Sequence, residues 1–287
     1  MKQLNLFIEL IRIKKPIGYM LLFWPCAWGL TLAYDFSNNL KLYFFYLMLF
    51  FFGAVLMRSA GCIVNDIFDR KFDAKVSRTK NRPIASGKVS VITAIIYSIA
   101  LCLLALIVLL NFNKFTILFA LGSMPLAFSY PLMKRFTYWP QLFLGITFNY
   151  GIILGWTSIN SSVEILPAIV YLGAIFWTLG YDTIYGFQDI KDDEIIGLKS
   201  TSIKFKTKPY FFLFLCYSVF FLSLIFIGLN SDMKKIYFIF LILVFFQMFF
   251  KQLKKLNIKS QSSCLKIFKS NNILGALIFL GLLISKY

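Results

Sequence analysis

The chain of 287 residues predicts an all-α, multi-span membrane bundle of about nine transmembrane helices, arranged as two four-helix repeats plus one. Three observations carry this prediction. Hydrophobic residues make up 59% of the chain and mean hydropathy is +0.76, and apolar runs of membrane-spanning length recur from end to end. Lys and Arg concentrate in alternate loops between those runs. Two acidic clusters lie four predicted helices apart, both on the side that holds the cations.

Residues 1–16 form a basic, partly amphipathic lead-in that contains Arg12, Lys14, Lys15 and Pro16. Apolar spans follow at 17–34, 42–64, 89–110, 115–133, 140–159, 165–187, 210–229, 236–250 and 265–285. Each is near the ~20 residues that a bilayer core requires. The last two have the shortest uninterrupted apolar cores. The first span contains Trp24-Pro25 and lacks a small-residue cleavage site, so it reads as a retained helix rather than a signal peptide. No Pro/Gly/Ser-rich linker divides the chain, so residues 1–287 are expected to be one transmembrane domain.

The lead-in and the loops after the even-numbered spans hold most of the 30 Lys and Arg, whereas the opposite side holds only Lys41, Lys114, Lys234, Lys235 and Lys286. By the positive-inside rule, the N-terminus and both acidic loops should then be cytoplasmic. The loop 251–269 is basic and acid-free, as expected of an inner-leaflet surface. A net charge of +18 would suggest nucleic acid in a soluble protein; distributed this way it reflects membrane orientation, and no nucleic-acid partner is expected. The absence of His removes His-ligated zinc or haem and every His-based triad. The five Cys are scattered, with no CxxC, and indicate neither a disulfide framework nor a thiolate metal site.

Acids are scarce, 12 in all, and most fall in the two clusters. The first is Asn65-Asp66-Ile67-Phe68-Asp69-Arg70-Lys71-Phe72-Asp73. If the preceding helix continues through it, Asn65, Asp69 and Asp73 stand at i, i+4 and i+8, with Asp66 three before Asp69, and one face presents a column of oxygens. Like charges at that spacing repel. They become favourable around a divalent cation, and carboxylates with a side-chain amide suit Mg²⁺. An isolated DxxDxxxD reads more readily as a solvated acidic loop. The second cluster, Asp182, Asp189, Asp192, Asp193 and Glu194, alters that balance, because Gln188-Asp189-x-x-Asp192 repeats the order amide, acid, acid of Asn65-Asp66-x-x-Asp69. On one continuous helix Asp182, Asp189 and Asp193 would share a face.

A mouth with two carboxylate clusters and many cations is what a Mg²⁺-diphosphate requires, the metal bridging carboxylate to phosphate and the cations neutralising the rest. The basic candidates are Arg70, Lys71, Arg78, Arg82, Lys134, Arg135 and Lys199, although membrane orientation alone explains any one of them. Tyr130 and Lys134 are i, i+4 at the end of the fourth span and could grip one ligand together. Arg58 stands apart. It lies inside the second span, seven residues before Asn65, where a charge is unfavourable unless it is paired or faces a polar cavity. It suits either a structural pairing or the carboxylate of a substrate.

Several stretches resemble the UbiA family of intramembrane aromatic prenyltransferases: Arg12 to Gly18, Met57 to Asp66 and on through Asn81-Arg82-Pro83, Tyr130 to Arg135, Tyr181 to Tyr185, and Asp189 to Thr201. Beyond Thr201 the likeness is only apolar. The resemblance implies a nine-helix bundle whose two Asp-rich motifs hold Mg²⁺ and a polyprenyl diphosphate. Asn65, Asp66, Asp69 and Asp73 match the first motif, Asp189 and Asp193 the second, and Tyr130 with Lys134 the YxxxK element; Asp182 and Asp192 match less securely. The wording is nearest to the bacterial branch that prenylates 4-hydroxybenzoate ortho to its hydroxyl for ubiquinone synthesis, which implies a bacterial inner membrane. On this basis Asp66, Asp69, Asp73, Asp189 and Asp193 are the catalytic candidates and, with Asn65, the metal ligands. Arg58, Asn65, Arg70, Arg78, Tyr130, Lys134, Lys199 and Asp182 are the substrate-binding candidates.

Rival readings are a related prenyltransferase with a naphthoate, homogentisate, haem or glycerol-phosphate acceptor, a secondary transporter, and a non-catalytic scaffold. Transporters usually place polar groups at the bilayer midplane, whereas these acids fall at one membrane face. A scaffold leaves the paired motifs unexplained.

Overall fold

A lead helix lies against the longest helix of the molecule, and that pairing sets the frame of the site. In the computed structural model, which describes residues 2–287, α1 (Lys2–Leu10) buries Leu10 and partly buries Leu6 and Phe7 beside Ala60 and Ile63 of α3 (Leu40–Asp73). Between them runs α2 (Ile17–Ala33). At 1.5 Å per residue the 34 residues of α3 extend about 50 Å, well beyond a ~30 Å hydrocarbon core. The helix therefore carries the first acidic motif out of the apolar layer without a break, and Asp66, Asp69 and Asp73 fall on its buried side as the spacing predicts. Asn39 caps its start by accepting from Lys41 N, and Ser90 caps α4 (Val91–Leu109) by accepting from Thr93 N.

Two of the predicted spans are interrupted. The fourth divides into α5 (Lys114–Gly122), α6 (Met124–Ser129), a 3₁₀ turn over Tyr130–Leu132 and α7 (Met133–Phe136). Pro125 and Pro131 open the second and third of these pieces, since neither supplies an N–H for a continuing helix. The fifth divides at Tyr150 into α8 (Pro140–Asn149) and α9 (Gly151–Asn160). Then follow α10 (Ile165–Gly186), the short α11 (Ile190–Ile195) and α12 (Thr201–Lys204), α13 (Pro209–Asn230), α14 (Lys235–Phe245), a π-helical continuation over Phe246–Leu253, and α15 (Gln261–Lys286). Among the described residues there is no strand, and eight helical segments are long and apolar enough to cross a membrane, with α2 a shorter ninth. The all-α multi-span prediction holds.

Lipid-facing side chains confirm where the solvent is apolar. Ile92, Ile107, Leu118, Leu222 and Ile242 are all exposed, which is unfavourable in water and neutral in a bilayer. Close backbone approach replaces hydrophobic driving force inside. A Cβ on Gly29 would stand 2.1 Å from Ile152 O, and one on Gly155 2.4 Å from Cys26 O, so α2 and α9 touch through their main chains. The aromatic centre is Trp28, Trp177 and Phe220, with Trp177 stacked on Phe220 at 5.5 Å and 15°. Both indole N–H groups are satisfied by α15: Trp28 donates to Gly275 O at 3.1 Å and Trp177 to Asn271 Oδ1 at 2.8 Å.

Candidate active site

Each buried carboxylate of α3 meets a cation from another part of the chain. Arg12 pairs with Asp66. Arg82 Nη1 bridges Asp66 Oδ1 at 3.1 Å and Asp73 Oδ2 at 2.7 Å. Lys134 Nζ donates to Asp69 Oδ2, while the other Asp69 oxygen, Oδ1, is buried without a partner. Across the mouth, Arg78 Nε donates to Asp189 Oδ1 at 2.8 Å and Oδ2 at 3.1 Å, and Arg78 Nη1 donates to the Tyr185 hydroxyl at 3.2 Å. Ser77 Oγ donates to Asp192 Oδ2 at 3.4 Å. The loop that follows the first motif therefore grips the second.

Asp182, Asp189 and Asp193 do not share one helical face. The α10 helix ends at Gly186, where a Cβ would stand 2.3 Å from Ser202 Oγ of α12, and Gln188 Nε2 turns back to donate to Tyr185 O at 3.0 Å. Asp189 becomes the N-cap residue of α11, and Asp193 N donates to Asp189 O at 2.9 Å, which keeps those two one turn apart. Asp182 is left deeper in the bundle, within electrostatic reach of Arg58, and among the described residues its carboxyl makes no hydrogen bond or ion pair. Burial, with Asp189 adding to it, pushes the Asp193 carboxyl up to about 6.

The donors fit a hard divalent cation: oxygen atoms only, carboxylates on facing elements, and one buried Asp69 oxygen without a partner. Arg and Lys side chains interleave these acids, and among the described residues no three acidic side chains converge on one point. Asn65 is half-buried on α3, and among the described residues its side chain makes no hydrogen bond.

Below the mouth lies a cavity of about 220 Å³. Arg58, Tyr130 and Phe148 line one part of it, and Phe50, Phe112 and Leu154 line another; α3 borders it from Leu49 to Gly61, about 18 Å of helix. Exposed Leu106 and Leu121 also border it, which places the cavity next to lipid. Arg58 makes no ion pair or hydrogen bond among the described residues. Its Nε is buried and unpartnered, and its guanidinium carbon lies 5.5 Å from the centre of the Phe148 ring. The alternative in which an interior acid holds Arg58 by direct pairing is not what the structure contains.

The remaining predicted residues are placed differently. Tyr130 and Lys134 separate, Tyr130 to the cavity and Lys134 to Asp69, because the 3₁₀ turn intervenes. Arg70 is exposed and outside the ion-pair network, and Lys199 turns to Phe136 O at 3.3 Å and to the Tyr138 ring. Charge and spacing mark Arg12 as a membrane-orienting cation and not as a site residue, yet it holds Asp66 from a left-handed backbone at φ 55°, uncommon for a residue other than Gly, Asn or Asp. The one signal was its place in Arg12-Ile13-Lys14-Lys15-Pro16.

A helical bundle with an acid-and-cation mouth above an apolar cavity at the lipid boundary defines an intramembrane prenyltransferase, and the chain belongs to the UbiA prenyltransferase family, whose sequence profile matches residues 22–279. Among curated proteins, the chain is 42% identical over 288 residues to the mitochondrial 4-hydroxybenzoate polyprenyltransferase of Homo sapiens, covering 99% of this chain and 76% of that one. It is 42% identical over 285 residues to the enzyme of the same name from Arabidopsis thaliana, covering 98% and 68%. Among solved structures, the fold matches a UbiA homolog from Aeropyrum pernix K1 with a TM-score of 0.78 at 21% identity, covering 93% of this chain and 98% of that one. It matches a UbiA homolog from Archaeoglobus fulgidus bound to DMAPP and Mg²⁺ with a TM-score of 0.73 at 19% identity, covering 97% and 98%.

These relatives correct one expectation. The named curated enzymes are mitochondrial proteins of eukaryotes, so a bacterial inner membrane is not supported, and the cytoplasmic placement of the loops loses its basis with it. Charge asymmetry tells which loops share a side of a membrane; it does not tell to which cell or organelle the membrane belongs. What stands is a multi-pass membrane protein.

Proposed function

We propose that this chain, as one transmembrane domain over 1–287, transfers a polyprenyl group from a polyprenyl diphosphate to the carbon of 4-hydroxybenzoate ortho to its hydroxyl, with Mg²⁺ as the divalent ion, in ubiquinone biosynthesis. The observation that carries the choice of acceptor is Arg58: an unpaired guanidinium lining an apolar cavity requires an anion, and a benzoate supplies one attached to a ring. Relatives at 42% identity bear the name of this activity.

In the reaction the allylic C–O bond breaks and its electron pair leaves with the diphosphate. Arg12, Arg78, Arg82 and Lys134 ring the mouth and stabilise the charge that develops there. Asp66, Asp69, Asp73 and Asn65 on one side and Asp189 and Asp193 on the other would hold Mg²⁺, which would supply further positive charge against that leaving group. The face of Tyr130 shelters the carbocation, and the apolar walls exclude water and accept the isoprenoid tail. Arg58 anchors the benzoate carboxylate so that the ring carbon forms the new C–C bond. The displaced ring proton passes to a carboxylate at the mouth, Asp189 or Asp193. Incubation of the protein in lipid with Mg²⁺, a polyprenyl diphosphate and 4-hydroxybenzoate should give the 3-polyprenyl product by mass. A chain that prenylates a naphthoate or homogentisate but not 4-hydroxybenzoate would refute the assignment.

A further inference from the structure

Although the Arg58 side chain has no hydrogen-bonding partner among the described residues, two neighbours limit where its guanidinium can rest. One is Phe148, whose ring lies 5.5 Å from Cζ. The other is Gly18, in the first turn of α2, where a Cβ would stand 2.7 Å from Arg58 Nε, 3.4 Å from Nη2 and 3.5 Å from Cζ. The guanidinium thus occupies space that any other residue at position 18 would fill. Gly18 is helical with negative φ, so the position does not require glycine for backbone reasons. Alanine is the better helix former there. The missing methyl has one visible use, which is to leave room for Arg58.

We infer that Gly18 and Phe148 are positioning residues for acceptor selection: the bare backbone and the aromatic face together set the Arg58 guanidinium in register for a carboxylate in the cavity. This rests on the reading of Arg58 as the partner of the acceptor's carboxylate. Because the colliding atoms belong to the far end of a flexible side chain, a methyl at position 18 displaces the guanidinium instead of breaking the helix. Stability and acceptor recognition should therefore respond in opposite senses, which a packing role for Gly18 does not predict.

The test uses the full chain in lipid or detergent with Gly18→Ala, Phe148→Leu and Arg58→Leu, measuring melting temperature, KM for each substrate, and the relative affinity for 4-hydroxybenzoate and its neutral isostere 4-hydroxybenzamide. Gly18→Ala should melt at or above wild type, raise the 4-hydroxybenzoate KM about tenfold or more, as expected of an ångström-scale misplacement, leave the polyprenyl diphosphate KM unchanged, and erode the preference for the carboxylate over the amide. Phe148→Leu should raise the 4-hydroxybenzoate KM and erode the carboxylate preference in the same direction by about two- to fivefold, with a lower melting temperature because the ring is buried and leaves a void. In Gly18→Ala, an unchanged acceptor KM, an equal rise in both KM values, or a lowered melting temperature would each overturn the inference. Arg58→Leu separates the two levels. If it leaves the acceptor KM unchanged, the Arg58 reading falls and takes this inference with it; if it raises that KM while Gly18→Ala does not, only the role of Gly18 falls.

Discussion

Arg78 holds Asp189 with a fork of guanidinium hydrogen bonds, Nε reaching Oδ1 at 2.8 Å and Oδ2 at 3.1 Å, although the two residues lie 111 positions apart. The pair joins the loop after the first acidic motif to the start of the second. Since Arg78 also donates to the Tyr185 hydroxyl and lies over its ring at 5.6 Å, its position is over-determined at the mouth of the site.

Replacing that fork should affect the diphosphate more than the fold. The side chain of Arg78 is 39% exposed, so Arg78→Leu is expected to lower stability by only about 1 kcal/mol. The KM for polyprenyl diphosphate should rise at least about tenfold, the scale of one charged hydrogen bond. Arg78→Lys should recover little, because an ammonium cannot reproduce the fork. Steady-state kinetics with unchanged diphosphate KM in both variants would show that Arg78 is only a strut between loops.

Asp69 and Asp189 test the metal reading from opposite sides of the mouth. Asn preserves size and some hydrogen bonding but removes a ligand charge, so Asp69→Asn and Asp189→Asn should each lose about 10²–10³-fold in turnover while the helical circular dichroism spectrum persists. Chelation of divalent ions from the wild type should give a comparable loss that Mg²⁺ restores. Near-normal turnover in both variants would exclude the two motifs as the metal site.

Arg12 gives a prediction on stability. Breaking a buried ion pair by removing one partner commonly costs about 3–5 kcal/mol, but Asp66 keeps Arg82 as a second partner. Arg12→Ala should therefore destabilise by roughly 1–3 kcal/mol, and Arg12→Gly by somewhat less, because glycine accepts the left-handed φ of 55° without strain. Denaturation in detergent checks the order; an Arg12→Gly protein less stable than Arg12→Ala would contradict it.

What the sequence disclosed, and what it did not, follows from range. The spans were legible because apolar runs are local, and the motif of α3 because acids are rare here and fall at helical spacing. Asp182 was misplaced relative to Asp189 for a tertiary reason: α10 stops where Gly186 meets Ser202, a contact between distant residues. The breaks at α5–α7 were marked by Pro125 and Pro131, yet hydropathy averages over prolines and passed across them. The pairing of Arg12 with Asp66 and the space at Gly18 join residues 54 and 40 positions apart, where periodicity carries no information.

Arg58 gives the most exposed prediction. Because its side chain has no hydrogen bond or ion pair among the described residues and its Nε is buried, its charge is held at a cost to the fold that a bound anion would relieve. Arg58→Leu should therefore melt at or above wild type in the absence of acceptor. With acceptor the sign reverses: wild type should gain stability as 4-hydroxybenzoate is added, by mass action on the folded state, and the Leu variant should not. The acceptor KM should rise about 10- to 100-fold, the range of ~1.5–3 kcal/mol for hydrogen bonds to a charged group, while the KM for polyprenyl diphosphate stays within twofold or so of wild type. Arg58→Lys should fall between, since a point charge keeps the attraction but loses the planar fork. A structural role predicts the contrary, a Leu variant that melts lower with both KM values disturbed. Thermal melts with and without acceptor, run beside the kinetics, distinguish the two, and a destabilised Leu variant with normal acceptor KM would remove Arg58 from the site.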